Sequence, residues 1–166
     1  GLIIWGDRTA VGVGGGICQV STTVFRAAFY GGFPITDRTA HGYVVSWYGE
    51  PGLDATIFTP DVDLRFRNDT NGPLFVKPKV DLKAGTLTFA LYGQRPPRTV
   101  EMVGPKISNK RPAPPPLYQE DKSLPKGTIK QVDWAKEGQD AVVIRKIRTA
   151  DGAVSEEKFE SHYEPW

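Results

Sequence analysis

One segment of this chain has the periodicity of a helix, and glycines bracket it on both sides. The predicted helix runs from Gln19 to about Tyr30, and three glycines at 14–16 precede it. Two more glycines follow it at 31–32, and glycine commonly ends a helix because it permits left-handed backbone geometry. Its apolar face, at positions i, i+4, i+7 and i+8, carries Val20, Val24, Ala27 and Ala28.

From Phe33 onward the sequence has the character of β structure. Short apolar or alternating runs predict strands at 43–48, 54–58, 64–67, 74–78 and 87–92, in addition to an apolar run at 2–5. The last two of these pair naturally as a hairpin around the turn at 83–85. The predicted fold class is therefore α+β, with one main N-terminal helix packed on an antiparallel or mixed β-sheet.

The C-terminal third divides into two parts. Five prolines between 105 and 116 favour extended geometry and disfavour a sheet interior, so 101–119 is predicted to be a linker or surface strap. Strands are predicted at 127–132, 141–149 and 154–163, with a tight Asp-Gly turn between the last two. The predicted domains are a core at 1–100 and a β-ribbon extension at 120–166. The alternative is that this ribbon completes the sheet of the core.

The chain has a single cysteine, Cys18, directly before the predicted helix. Free backbone N–H groups and the positive end of the helix dipole favour a thiolate there, and thiolates attack carbonyl carbon. The adjacent glycines leave further N–H groups for an oxyanion. The alternative is a small buried apolar side chain, since Ile17 and Val20 flank it. A phosphate-binding loop is disfavoured because no Gly-Lys-Ser/Thr sequence follows.

A cysteine nucleophile needs a base, and the chain offers two histidines, His41 and His162. His41 lies in a loop before a predicted strand, whereas His162 lies in the last predicted strand. Arg65 alternates with apolar residues, and its guanidinium suits the terminal carboxylate of a peptide. No paired cysteine or histidine spacing is present, so neither a metal site nor a cofactor is predicted.

Several motifs occur in an order that resembles the VanW-like domain family, over roughly residues 6 to 95. They are GGGICQVSTT at 14–23, DR at 37–38, His41, GLDAT at 52–56 and DLRFRN at 63–68. The family takes its name from glycopeptide-resistance gene clusters, and its domains occur in bacterial envelope proteins. Some members look like cysteine L,D-transpeptidases that cross-link peptidoglycan. The tail at 120–166 is similar to the G5 modules that accompany such domains.

The resemblance implies a catalytic group of Cys18, His41 and Asp54, with Asp63 as the alternative third member. Asp54 also suits a cap on the turn that precedes it. The family commonly has serine after the histidine, where this chain has Gly42. The predicted substrate-binding and oxyanion residues are Gly15, Gly16, Gln19, Ser21, Thr22 and Arg65.

The implied reaction is acyl transfer on peptidoglycan stem peptides. Cys18 would form a thioester with the stem, and an amine of a second stem, or water, would release it. The alternative function is a non-catalytic envelope module that binds cell-wall peptide or glycopeptide, with a structural Cys18. A redox-sensing thiol is disfavoured because the chain has no second cysteine.

Composition limits the partners. The net charge of +2 is nearly balanced and the basic residues are dispersed, which disfavours a nucleic-acid partner. We expect a monomer outside the cytoplasm, in the envelope of a bacterium. The sequence begins at Gly1 without methionine, so we interpret it as part of a longer protein whose preceding segment would hold an export signal or membrane anchor.

Overall fold

The computed structural model describes residues 2–5, 8–12 and 14–166. Strands dominate, and the α-helix among these residues, α1, spans 14 residues, Ile17–Tyr30. A short 3-10 helix at Ser46–Tyr48 lies where 43–48 was predicted to be a strand. The strands are β1 Leu2–Trp5, β2 Arg8–Val11, β3 Ile35–Asp37, β4 Arg65–Phe66, β5 Phe75–Asp81, β6 Thr86–Tyr92, β7 Arg98–Arg111, β8 Gly138–Thr149 and β9 Val154–Tyr163.

The strands of the described residues form four small sheets, and every pairing in them is antiparallel. Three sheets are pairs, β1 with β2, β3 with β4 and β5 with β6, and the fourth has the order β7-β8-β9. The predicted α+β fold, a main helix on one sheet, is therefore wrong, because the described residues are mostly β and include one short α-helix. The predicted strand at 54–58 makes only the isolated bridges Thr39↔Thr56 and Phe58↔Val62, so no continuous sheet forms there.

Strand β7 shows how a proline-containing segment joins a sheet. It is an edge strand, and its register on β8 shifts between Val103 and Lys106, on either side of Pro105. Edges and register shifts are where a strand tolerates a residue without an N–H group. Residues 101–111, expected in the linker, consequently belong to this strand. The hairpins predicted around 83–85 and around 150–152 are confirmed.

The core joins α1 to the three-stranded sheet. Its buried cluster consists of Phe25, Phe29, Leu53, Ala55 and Val143. The ring of Phe159 on β9 packs against both helix phenylalanines, with ring centroids 5.9 and 5.1 Å apart. Each fully buried phenylalanine contributes about 1.5–3 kcal/mol through removal of apolar surface from water. The helix that carries Cys18 therefore depends on strands that follow residue 98.

The buried face of α1 shares only Ala28 with the predicted one, and Val24 and Ala27 are half-buried. Val20 is 42% exposed, whereas the buried residues of the helix are Ser21, Thr22, Phe25, Ala28 and Phe29. The two phenylalanines bury more apolar surface than the valines and alanines of the predicted face, and they set the helix rotation. No helix in the described part of the chain has the length and hydropathy needed to cross a membrane.

Candidate active site

Cys18 lies in the first turn of α1, after a glycine loop with left-handed backbone geometry. Gly14 and Gly16 have φ angles of +94° and +98°, a region that favours glycine, and Gly16 is the N-cap. No side chain caps this helix N-terminus. A Cβ atom added at Gly16 would meet none of the residues that the structure describes within 4 Å, so the loop borders space that those residues leave open. A half-buried thiol thus lies beside uncapped helix amides and an open approach.

The thiol of Cys18 contacts the segment that follows Asp54. Its Sγ atom lies 3.4 Å from Oγ1 of Thr56 and 3.7 Å from the carbonyl oxygen of Ile57. A side-chain hydrogen bond with His41 is the main cause that lowers the pKa of Cys18, from 9.0 to about 7. Partial burial acts in the opposite direction and the Thr56 hydroxyl assists. A large fraction of the thiol is therefore thiolate at neutral pH.

Two hydrogen bonds to Asp54 fix the orientation of His41. Its Nδ1 atom lies 2.6 Å from Oδ2 of Asp54, and its backbone N–H donates to the same oxygen at 2.8 Å. A carboxylate only accepts hydrogen bonds, so Nδ1 donates and Nε2 remains for Cys18. Burial of His41 opposes its charge, but the hydrogen bonds with Asp54 and Cys18 outweigh burial and raise its pKa to about 9.

Asp54 is a buried carboxylate, 5% exposed, that accepts hydrogen bonds on both oxygens. Besides His41, the guanidinium of Arg38 donates to Oδ1 at 3.3 Å and the hydroxyl of Tyr163 at 2.5 Å. Burial favours the neutral acid, but the hydrogen bonds from His41 and Tyr163 keep the pKa of Asp54 below its ordinary value. The predicted residues Cys18, His41 and Asp54 therefore lie together, with His41 bonded to Asp54 and interacting with the thiol of Cys18.

Two predicted substrate-binding hydroxyls face inward instead. Ser21 and Thr22 are 6% and 2% exposed, and both hydroxyls donate to the carbonyl oxygen of Ala55. Thr22 Oγ1 also accepts the backbone N–H of Ala55 at 3.1 Å. Their predicted contact with substrate stays a prediction, and in this structure both hydroxyls bond within the protein. They bind α1 to the segment next to Asp54, because a buried hydroxyl needs a partner.

Other predicted residues are distributed unevenly around the thiol. Gly15, Gly16 and Gln19 lie in the loop and first turn beside Cys18, and Gln19 is exposed. Arg65 has a side chain 68% exposed and forms an ion pair with Asp63 at 3.3 Å, so neither joins the Cys18 group. In the described residues, 2–5, 8–12 and 14–166, no three histidine, cysteine or acidic side chains cluster as metal ligands.

His162 belongs to a different cluster, at the exposed end of β9. Its Nδ1 atom lies 2.6 Å from Asp140 and its Nε2 atom 2.9 Å from Glu164. Those carboxylates raise the pKa of His162, with Glu164 the larger cause. His41, not His162, is therefore the histidine beside the thiol.

An aromatic rim lies beside the histidine. The rings of His41 and Tyr48 have centroids 5.4 Å apart, and Trp47, next to Tyr48, is 56% exposed. Arg26 on α1 donates to the carbonyl oxygens of Tyr48 and of Leu53, the latter at 2.8 Å. The helix that carries Cys18 therefore also fixes the loop that carries this rim.

Sequence reasoning missed two residues that bind Asp54, Arg38 and Tyr163. Arg38 is part of the DR motif, but no role followed from that motif. Tyr163 lies 109 residues after Asp54, in a strand whose local pattern gave no sign of this contact.

The comparisons with known proteins bear directly on this site. A family model described as VanW like protein matches residues 1–92. The chain belongs to this VanW-like family. Cys18, His41 and Asp54 all lie within the match, whereas Tyr163 lies outside it.

Two relatives extend the comparison. The chain is 42% identical over 91 residues to the uncharacterized protein YoaR of Bacillus subtilis strain 168, covering 55% of this chain and 29% of that protein. It is 35% identical over 77 residues to the vancomycin B-type resistance protein VanW of Enterococcus faecalis strain ATCC 700802 / V583, covering 43% of this chain and 27% of that protein. The chain thus spans less than a third of the length of either relative. No solved structure matches it.

Proposed function

We propose that this VanW-family chain is a cysteine acyl-transferase, an L,D-transpeptidase that acts on peptidoglycan stem peptides in a bacterial envelope. The observation that carries the proposal is the buried, hydrogen-bonded pair of His41 and Asp54 beside the half-buried thiol of Cys18. Opposed shifts of the two pKa values, to about 7 for the thiol and about 9 for the imidazole, favour a thiolate–imidazolium pair. The name of the enterococcal relative, which ties that protein to vancomycin resistance, agrees with a cell-wall substrate.

The first half-reaction forms a thioester. The Cys18 thiolate attacks the carbonyl carbon of the L,D peptide bond, and a C–S bond forms. The C–N bond breaks, and the departing amine of the D-residue takes the proton from Nε2 of imidazolium His41. The transient oxyanion lies beside the uncapped amides at the start of α1, which supply hydrogen-bond donors.

The second half-reaction regenerates the thiolate. The amine of a second stem attacks the thioester carbonyl and gives a proton to neutral His41. A new C–N bond forms as the C–S bond breaks, which leaves cross-linked stems and the ion pair. Water in place of the amine gives a carboxypeptidase. Asp54 remains ionised throughout and holds the imidazole in place.

A product assay tests this proposal. The chain is incubated with a tetrapeptide stem that ends in a D-amino acid, with and without an amine acceptor, and products are separated by liquid chromatography. We expect release of the D-residue, reduced about a thousandfold in Cys18→Ala because the nucleophile is lost. Thr23→Ala, on the same helix but with its hydroxyl bonded to the Gln19 carbonyl, is the matched control.

The pH profile adds a second readout to this assay. Below about pH 7 the thiolate takes up its proton, and above about pH 9 the imidazolium loses its proton. We therefore expect a bell-shaped rate with limbs near these values. Equal release by Cys18→Ala and the native chain would reject the proposal. Binding of the stem without release would favour the non-catalytic envelope module.

A further inference from the structure

Strand β9, which lies outside the family match, reaches the interior of the candidate site through Tyr163. This side chain is 1% exposed, and its hydroxyl donates to Oδ1 of Asp54 at 2.5 Å. The same hydroxyl accepts the backbone N–H of Gly52 at 2.7 Å. Burial, with the Asp54 charge, raises the pKa of Tyr163 to about 12, so the phenol remains a donor at neutral pH.

Three further contacts connect the end of β9 to the same loops. Arg38 donates to the hydroxyl of Ser161 at 2.9 Å and to the carbonyl oxygen of Glu160 at 3.1 Å. It also donates to the carbonyl oxygen of Asp54 at 2.6 Å. The backbone N–H of Glu164 donates to the carbonyl oxygen of Gly42, next to His41, at 2.7 Å. The end of β9 therefore holds the segments that carry Asp54 and His41.

The geometry around Asp54 explains why the hydrogen bond from Tyr163 to Oδ1 matters. Oδ2 accepts hydrogen bonds from both the backbone N–H and the Nδ1–H of His41, and it does so in only one rotational orientation of the carboxylate. Oδ1 is fixed by the short bond from Tyr163 and a longer one, 3.3 Å, from Arg38. Without the phenol, a buried oxygen keeps only the longer bond, and the carboxylate gains freedom to turn away from the imidazole.

We propose that Tyr163 is a positioning residue that holds Asp54 against His41, so that the chain after residue 92 completes the site. As a statement about catalysis, this inference rests on the proposed acyl transfer. As a statement about the thiol, it is tested without any peptide substrate.

The test measures alkylation of Cys18 by iodoacetamide against pH, in the full chain. The midpoint for the native chain is expected at about pH 7. In Tyr163→Phe a looser His41 stabilises the thiolate less, so the midpoint rises by about one unit and alkylation at pH 7 falls about fivefold. The matched control is Tyr43→Phe, since Tyr43 is also buried but its hydroxyl has no hydrogen-bond partner within the described part of the chain. An unchanged midpoint in folded Tyr163→Phe would overturn the proposal.

A double-mutant cycle separates positioning from a general loss of structure. If Tyr163 acts through Asp54, Tyr163→Phe shifts the midpoint in the native chain but adds nothing in the Asp54→Asn background. Additive shifts would overturn the proposal. Circular dichroism checks the fold, and if Tyr163→Phe does not fold, Ser161→Ala replaces it. That variant removes the Ser161 link to Arg38, and it must raise the midpoint for the proposal to stand.

The two proposals fail separately. A midpoint shift in Tyr163→Phe, without release of a D-residue by the native chain, keeps the positioning role and rejects acyl transfer on stem peptides. If the native chain releases the D-residue, and Tyr163→Phe shows the same release rate and the same midpoint, only the positioning role is rejected. If both hold, Tyr163→Phe lowers kcat and leaves KM unchanged, because the tyrosine touches no substrate.

Discussion

Replacement of His41 by alanine is expected to raise the pKa of Cys18 from about 7 toward 9.0. The thiolate loses the neighbouring imidazolium, which is the main cause of its low pKa, so alkylation at pH 7 slows about fiftyfold. The measurement is the rate of iodoacetamide labelling between pH 5 and pH 10, followed by intact-protein mass spectrometry.

His162→Ala is the matched control for this experiment. Its imidazole is bonded to Asp140 and Glu164 at the exposed end of β9 and has no contact with the thiol. We expect this variant to keep the native midpoint. A native midpoint in His41→Ala as well would mean that the imidazole does not activate Cys18.

Replacement of Arg145 by methionine is expected to lower the free energy of unfolding by about 2–4 kcal/mol, because it removes a buried guanidinium that donates to buried backbone carbonyls. Arg145 is 0% exposed and donates to the carbonyl oxygens of Phe29 and Phe33, at 2.9 and 3.0 Å. It also pairs with Glu157 and lies over the ring of Phe159, 5.3 Å from its centroid. Methionine fills similar space but cannot donate to the Phe33 carbonyl or to Glu157, and the Phe29 carbonyl keeps only the backbone N–H of Gly32, at 3.1 Å.

Urea unfolding followed by circular dichroism measures this loss. Arg148→Met is the matched control, since Arg148 is an exposed arginine on the same strand and its replacement should change stability by less than about 0.5 kcal/mol. A loss below about 1 kcal/mol in Arg145→Met would show that the carbonyls find other partners. Because Arg145 lies on β8 and its acceptors lie at the end of α1 and just beyond it, the result also reports how firmly the sheet holds the helix.

Local signals explain what was predictable. The glycines at 14–16 and 31–32 bounded the helix to within two residues of Ile17–Tyr30. Tight turns located the β5–β6 and β8–β9 hairpins, because a hairpin needs only neighbouring residues and its turn. Cys18, His41 and Asp54 come together as the family resemblance implied.

Long-range packing explains what was not predictable. Strands β3 and β4 pair although a long irregular stretch of the chain separates them, and β7 pairs with β8 across the segment 112–137. The division into four sheets could therefore not be predicted from local sequence patterns. The buried face of α1 depends on Phe159, far along the chain. Tyr163 reaches Asp54 only after β9 folds onto the loop of 52–56, and no spacing rule connects the two residues.

The most direct test of the central claim is the mass of the intact chain after brief incubation with a tetrapeptide stem. Acyl transfer through Cys18 predicts a covalent adduct equal to the stem less its terminal D-residue, present on the native chain and absent from Cys18→Ser. An adduct is expected on His162→Ala at the native level. Absence of any adduct on the native chain, under conditions where iodoacetamide labels Cys18 at pH 7, would contradict the account.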